Sequence, residues 1–188
     1  MLPSRKSRPV SDPLLQQTGE GSLAVQVRDL PAMRAACMGY CGPAATIGET
    51  FERLQLLVTQ AGIGPAGPLL CSFHRLADNT GARVSEEQED IEATLLVPIT
   101  RLLDSPPEGM QTRRFNSQRA ACLLYSGPMD SSFRQRHLEL FSWLDMRALP
   151  RAGTAHQHAY LGRSHEKNHW TIEIRVPILA VGSPTAAL

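Results

Sequence analysis

The stretch WTIEIRVPI, residues 170–178, decides how this chain folds. Ile172, Ile174, Val176 and Ile178 alternate with Thr171, Glu173 and Arg175, the period of two that marks a half-buried β-strand. Side chains alternate across a sheet, so the four apolar residues share one face and Glu173 looks out from the other. Pro177 has no N–H to give a neighbour and marks a strand end or an edge position. Such a strand needs a cover for one face and an explanation for a carboxylate on the other.

Upstream, residues 91–99 (IEATLLVPI) end in the same Val-Pro-Ile. Around these two endings the chain repeats itself. Arg34-Ala35-Ala36-Cys37 recurs as Arg119-Ala120-Ala121-Cys122, Tyr40 answers to Tyr125, and Gly42-Pro43 to Gly127-Pro128, all at one offset. In the first half, strands are expected at 23–27 and 33–40. A helix follows at 47–61, with Ile47, Phe51, Leu54, Leu57, Val58 and Ala61 on one face. Thr46 and Glu49 fit a capping box, and Gly62 and Gly64-Pro65 stop the helix. A strand at 69–76, a turn at 78–81, a solvated acidic stretch and the strand at 91–99 complete this half. Residues 103–110 read as a connecting loop. In the second half the repeated word is followed by a helix bearing Phe133, His137, Leu140, Phe141 and Leu144 on one face, stopped by residues 147–153. Strands at 156–161 and 170–178 flank a loop at 162–169.

Each half thus reads strand, helix, strand, strand, a unit that cannot bury its sheet face alone. Two joined halves predict an α+β fold of duplicated βαββ repeats. They form one mostly antiparallel sheet with both helices on one face and a concave groove at the pseudo-twofold seam on the other. The repeats are placed at about 23–100 and 111–179, between a disordered tail at 1–22 and a loose tail at 180–188.

Composition excludes several classes. At 188 residues the chain holds one domain with a proper core. A net charge of +1 gives no electrostatic case for direct nucleic-acid binding or an anionic membrane surface. The apolar runs are too short to span a bilayer, and MLPSRKSRPV lacks the apolar core of a secretory signal, which predicts a cytoplasmic protein. Four cysteines (Cys37, Cys41, Cys71, Cys122) are too few for a disulfide scaffold and form no CxxC pair. They read as buried or free thiols in a reducing compartment.

This duplicated pattern, with the Tyr160-Leu161 of HAYL, the Thr171-Ile172-Glu173-Ile174 of the last strand, Leu30-Pro31-Ala32 and the Gly-Pro turns, resembles the GyrI-like small-molecule-binding family. The same SHS2-like module is the effector-binding domain of AraC-type and MerR-type multidrug regulators. The resemblance covers residues 23–179. It implies a pocket between the repeats, lined by aromatics and carrying a glutamate that meets cationic or amphipathic ligands. By position that glutamate is Glu173 and its partnering tyrosine Tyr160. The implied partner is a small-molecule ligand or substrate, with no cofactor. The 22 residues before the domain read as too few and too Pro-rich for a helix-turn-helix, so a stand-alone domain is expected. Members of this kind also include hydrolases that open strained cyclopropane rings of DNA-alkylating natural products with a Tyr/Glu pair, and an inhibitor of a DNA topoisomerase. The hydrolase alternative would make Glu173 and Tyr160 catalytic, Glu173 acting on a water and the Tyr160 hydroxyl on a developing oxyanion. Aligning the two Val-Pro-Ile endings puts Thr94 opposite Glu173, so only one half carries the carboxylate.

The aromatic candidates for the groove are Tyr40, Tyr125, Phe73, Trp143 and Trp170, beside Glu173 and Tyr160. Phe51 and Phe141 are assigned to the core between helix and sheet. His165-Glu166-Lys167-Asn168-His169 is a literal HExxH, but no apolar helical stripe surrounds it, so a zinc protease is not expected. His156 and His158 fall on one strand face, at most an adventitious metal pair. No metal is expected.

Overall fold

The computed structural model describes residues 24–74, 90–164 and 169–179. The expectations for the tail at 1–22, the 78–81 turn and the acidic stretch after it, residues 165–168 of the HExxH, and the tail at 180–188 lie outside these residues. The first half comprises β1 (Val25–Leu30), β2 (Met33–Pro43), α1 (Ile47–Gln60), β3 (Leu69–Phe73) and β4 (Asp90–Pro98). The second comprises β5 (Gln111–Phe115), β6 (Gln118–Pro128), α2 (Ser131–Met146), β7 (His156–Ser164) and β8 (His169–Pro177). All eight strands form one antiparallel sheet in the order β1-β6-β8-β7-β3-β4-β2-β5. The expected α+β architecture is present, with one strand more in the second half. Gln111–Phe115 has no apolar alternation because β5 is an edge strand, paired only with β2. Charged side chains such as Arg113 and Arg114 are what exposed edges carry.

The strand order shows that the halves exchange their first strands. β1 pairs with β6 of the second half, and β5 with β2 of the first. Only Pro31 and Ala32 join β1 to β2, although six strand spacings separate them in the sheet order. A flat sheet would hold them about 29 Å apart, at about 4.8 Å per spacing. The chain from Leu30 to Met33 reaches at most about 11 Å. The same mismatch holds for β5 and β6, joined by Asn116 and Ser117. The sheet must therefore be rolled, its edges drawn together where the two short links cross.

Both helices cover the convex side. The β8 residues Ile172, Ile174 and Val176 pack with Leu123 and Tyr125 of β6 against Phe133, Leu140, Trp143 and Leu144 of α2. On the other half, Met38, Ala93, Leu95 and Val97 pack against Phe51, Leu54 and Val58 of α1. Each fully buried aliphatic side chain contributes about 1.5–3 kcal/mol. Among the described residues no helix is long and apolar enough to cross a membrane.

The repeated Tyr-x-Gly-Pro word is a corner between strand and helix. The Tyr125 hydroxyl donates to the Pro128 carbonyl at 2.5 Å and lies 2.9 Å from the Ser132 hydroxyl. Tyr40 repeats this with the Pro43 carbonyl and with Thr46 at 2.7 Å. Each ring folds back over the glycine two residues on: a Cβ at Gly127 would collide with Tyr125, and one at Gly42 would press on the Tyr40 hydroxyl at 3.2 Å. Thr46 is thereby used in the corner, bonding Tyr40 and donating to Pro43, and the expected capping box with Glu49 does not form. A 3-10 turn, Ala44–Thr46, leads into α1 instead. In α2 the Asp130 carboxylate accepts from the Ser132 N–H at 2.8 Å and caps the helix. That helix ends at Met146, with Ala148 at φ 50 turning the chain away.

Candidate functional site

The rolled sheet leaves a concave side free of helices, and Glu173 points into it. Register places Glu173 between Leu124 of β6 and Ala159 of β7. The carboxylate is buried, 8 % exposed, and each oxygen is taken by an arginine: one by Arg28 of β1 and the other by Arg175 Nε at 2.5 Å. Cys122 sits beside this group, and its thiol pKa is raised by burial and then by the Glu173 charge. At the related position of the first half, burial pushes Cys37 up to about 11, against the opposing charge of Arg113.

Next to the ion-paired carboxylate opens a groove of about 520 Å³. Leu30, Pro31, Met33, Leu70 and Pro98 of the first half face Phe115, Gln118, Gln157 and Arg175 of the second across it. Both crossing links lie in its wall, through Pro31 and through Asn116 and Ser117. The groove at the seam between the repeats is thus present. Its walls mix apolar side chains with the amides of Asn116, Gln118 and Gln157, the Ser117 hydroxyl, the Arg28 and Arg175 guanidiniums and the exposed Asp29 carboxylate next to Arg28 in sequence.

The aromatic candidates lie elsewhere. Tyr160 pairs with Ile172 across the β7–β8 ladder, so it shares the helix-covered face and not that of Glu173. It packs edge-on against Phe51 at 5.7 Å and Trp170 at 5.7 Å, and burial raises its phenol pKa above the ordinary value. The expected Tyr160/Glu173 pair is therefore split by the sheet. Tyr40 and Tyr125 are on the same helix side, their hydroxyls spent in the two corners. Phe73 stacks on His156 with centroids 5.0 Å apart. Trp143, expected near the groove rim, is buried beneath α2 with Arg147 over its ring at 4.6 Å. Trp170 packs beside the α2 core, and Arg163 stacks on it at 4.8 Å. Of the residues expected in the groove, Glu173 alone lies on that face of the sheet, and it meets the groove only through Arg28 and Arg175, which line the wall. For the strand aromatics the cause is parity: an aromatic one residue out of phase with the glutamate's partners falls on the opposite face, while Trp143 is carried by α2, which covers that face.

Two further groups were not legible as site residues. Arg28 was not expected beside Glu173, whereas Arg175, two residues away on the same strand face, is the local partner that a strand glutamate invites. His137 of α2 meets His156 and His158 of β7 on the helix-covered face, where His137 Nε2 lies 2.6 Å from His158 Nε2. Phe51 and Phe141 do belong to the packing between helix and sheet.

A single sheet built from two related halves, with helices on one side and a groove shared by both halves on the other, defines a small-molecule-binding α+β domain. The sequence model of the GyrI-like small molecule binding domain matches residues 23–179, and the chain belongs to that family. Among curated proteins no relative matches. Solved structures share the fold at low identity. The EcmrR C-terminal domain superposes with a TM-score of 0.69 at 12% identity, over 82% of this chain and 96% of that one. A hydrolase encoded by lin2189 from Listeria innocua gives 0.56 at 13% identity, over 82% and 91%. SAV2435 bound to tetraphenylphosphonium gives 0.54 at 10% identity, over 84% and 94%.

Proposed function

We propose that this chain captures an amphipathic, largely uncharged aromatic small molecule in the concave groove, in drug resistance or drug sensing. The observation that carries the reading is the groove of about 520 Å³ walled by both repeats. That volume falls in the roughly 300–1,000 Å³ range of sites for drug-sized ligands, which are mostly apolar with a few polar groups. A ligand here would lie on Leu30, Met33, Leu70 and Phe115 and hydrogen-bond to Gln118, Gln157 or Arg175. SAV2435, a structural neighbour, is seen with the bulky aromatic cation tetraphenylphosphonium. In this chain both oxygens of Glu173 are engaged, so a cation could reach the carboxylate only by displacing Arg28 or Arg175. An uncharged ligand need not break that pair. Hydrolysis by a Tyr160/Glu173 pair draws no support from two groups on opposite faces of the sheet.

The test compares tetraphenylphosphonium with its uncharged analogue triphenylphosphine oxide by isothermal titration calorimetry. Wild type should bind the uncharged compound saturably and at least as tightly as the cation. Ser117→Trp, at an exposed residue of the groove wall, should weaken that binding about tenfold, or 1.4 kcal/mol. Failure of the uncharged compound to bind, or equal affinity in the Ser117→Trp variant, would overturn the reading.

A further inference from the structure

We infer that His137, His156 and His158 form a transition-metal site, of the kind that takes Zn²⁺, clamping helix α2 to strand β7 on the face opposite the groove. Each ring offers one nitrogen, and these atoms all lie within 4.8 Å of one another. His156 and His158 are two apart on β7 and project to the same side, while His137 descends on them from α2.

The hydrogen bonding around the rings is what a metal site requires and what a plain core does not explain. His137 Nδ1–H donates to the Phe133 carbonyl at 3.2 Å, so in the neutral ring Nε2 is left with a lone pair. Such a bond from the ring nitrogen that does not ligate fixes the tautomer of a ligating imidazole. That lone pair faces His158 Nε2 at 2.6 Å. Without an ion, His158 must place its own proton there, which leaves its Nδ1 a bare acceptor. His158 Nδ1 is buried with no partner, and so is His156 Nδ1. Both histidines are more than nine-tenths buried, at 5 % and 8 % exposed. Unpartnered polar atoms cost about 1–3 kcal/mol each in such a place. An ion between the rings would take the place of the shared proton on the facing Nε2 atoms of His137 and His158 and would draw on one nitrogen of His156, whose Nδ1 has no partner.

The ring positions are supported from every side. Phe73 stacks on His156, Phe133 meets His137 at 90° with centroids 4.7 Å apart, and Phe141 stands edge-on to His156. Burial keeps all three imidazoles in the neutral, ligating form: it lowers the pKa of His137 and His158 and brings that of His156 to about 3. Three imidazoles suit Zn²⁺, and also Cu²⁺ or Ni²⁺, more than hard cations. With Zn–N bonds of about 2.0–2.1 Å, tetrahedral ligands stand about 3.3 Å apart, so the close pair must part by roughly 0.7 Å and a pair at the 4.8 Å limit must close by about 1.5 Å. That is a ring rotation rather than a refolding. The fourth position would take a water.

The test uses chelator-stripped protein and Co²⁺, whose visible absorption reports four-coordination, followed by displacement with Zn²⁺. Wild type should bind one equivalent per chain, with the spectrum of a tetrahedral site, and Zn²⁺ should raise its melting temperature. His137→Gln, at a half-buried helix position, should keep the far-ultraviolet circular dichroism of wild type yet lose at least about 100-fold in affinity, the scale of removing one ligand or its support. His165→Gln, in the HExxH, should change neither spectrum nor affinity. Absence of a bound ion in wild type, undiminished affinity in His137→Gln, or loss of affinity in His165→Gln would each overturn the assignment.

Discussion

Replacing Gly127 by alanine tests whether the Tyr-x-Gly-Pro corner is a steric lock. A Cβ built at Gly127 stands 2.7 Å from Tyr125 Cζ and 3.3 Å from Cε2, and meets the hydroxyl oxygen more closely still. The ring cannot yield easily. Tyr125 is 6 % exposed, packs on Phe133 with centroids 5.0 Å apart, and holds Pro128 and Ser132 through its hydroxyl. Reaching ordinary contact distance moves the ring tip by about 1 Å, which breaks two hydrogen bonds at about 1 kcal/mol each. Overpacking adds about 1–3 kcal/mol. The sum is a loss of about 3–5 kcal/mol. With a urea slope of about 2 kcal/mol/M, the unfolding midpoint should fall by roughly 2 M. The decisive comparison is a double-mutant cycle with Tyr125→Leu, which removes the ring tip. In that background Gly127→Ala should cost under about 1 kcal/mol, giving a coupling of about 2 kcal/mol or more. Additive losses would refute the steric account and assign the cost to the backbone at residue 127 alone.

Other outcomes follow from the same coordinates. Ala148→Gly should stabilise by about 0.5–1 kcal/mol in urea unfolding, because Ala148 sits at φ 50, where a Cβ is disfavoured. Glu173→Gln should cost about 2 kcal/mol by stranding Arg175, whose side chain is 16% exposed, whereas Arg28→Ala, at 43% exposure, should cost under about 1 kcal/mol. Alkylation of the native protein near pH 8 should label Cys41 quickly and spare Cys37, Cys71 and Cys122, since Cys41 is exposed and burial pushes Cys71 up to about 12. Metal-free protein should lose stability on acidification. His156 stays neutral when folded, with His137 and His158 the titratable rings against it among the described residues, while the unfolded chain protonates near 6.5. Stability is then complete above about pH 6.5 and declines toward pH 3. The loss from His156 is about 2 kcal/mol by pH 5, measurable as a fall in the urea midpoint.

The parts of this fold that were legible from the residues are those written in short-range pattern. The alternation of Ile172, Ile174 and Val176 correctly separated a core face from the face of Glu173. The repeated Arg-Ala-Ala-Cys and Tyr-x-Gly-Pro words exposed the duplication, and with it the single sheet and the groove at its seam. What escaped needed register between distant segments. Tyr160 and Glu173 stand on adjacent strands, but only the pairing of Glu173 with Ala159 reveals that they face apart. Arg28 reaches Glu173 because β1 lies beside β6, an exchange no local pattern announces. His156 and His158 were visible as a pair on one strand face. Their third companion was not, since whether a helix lays His137 or its neighbour over that pair depends on how α2 docks.

The exchange of first strands also bears on how the protein is made. When Val25–Leu30 leaves the ribosome its partner strand, Gln118–Pro128, has not yet been synthesised, and the first half alone has nothing to place beside it. The nascent chain must carry an unsatisfied strand until the second repeat arrives, and closing so long a loop is slow. In a crowded polysome the same open strand could pair with Gln118–Pro128 of a neighbouring chain, producing an intertwined dimer with two complete sheets. Expression at lower temperature, or a single-chain order that begins at Gln118 and ends with Gln111–Phe115, so that β6 precedes β1 and β2 precedes β5, should shift material from that dimer to the monomer.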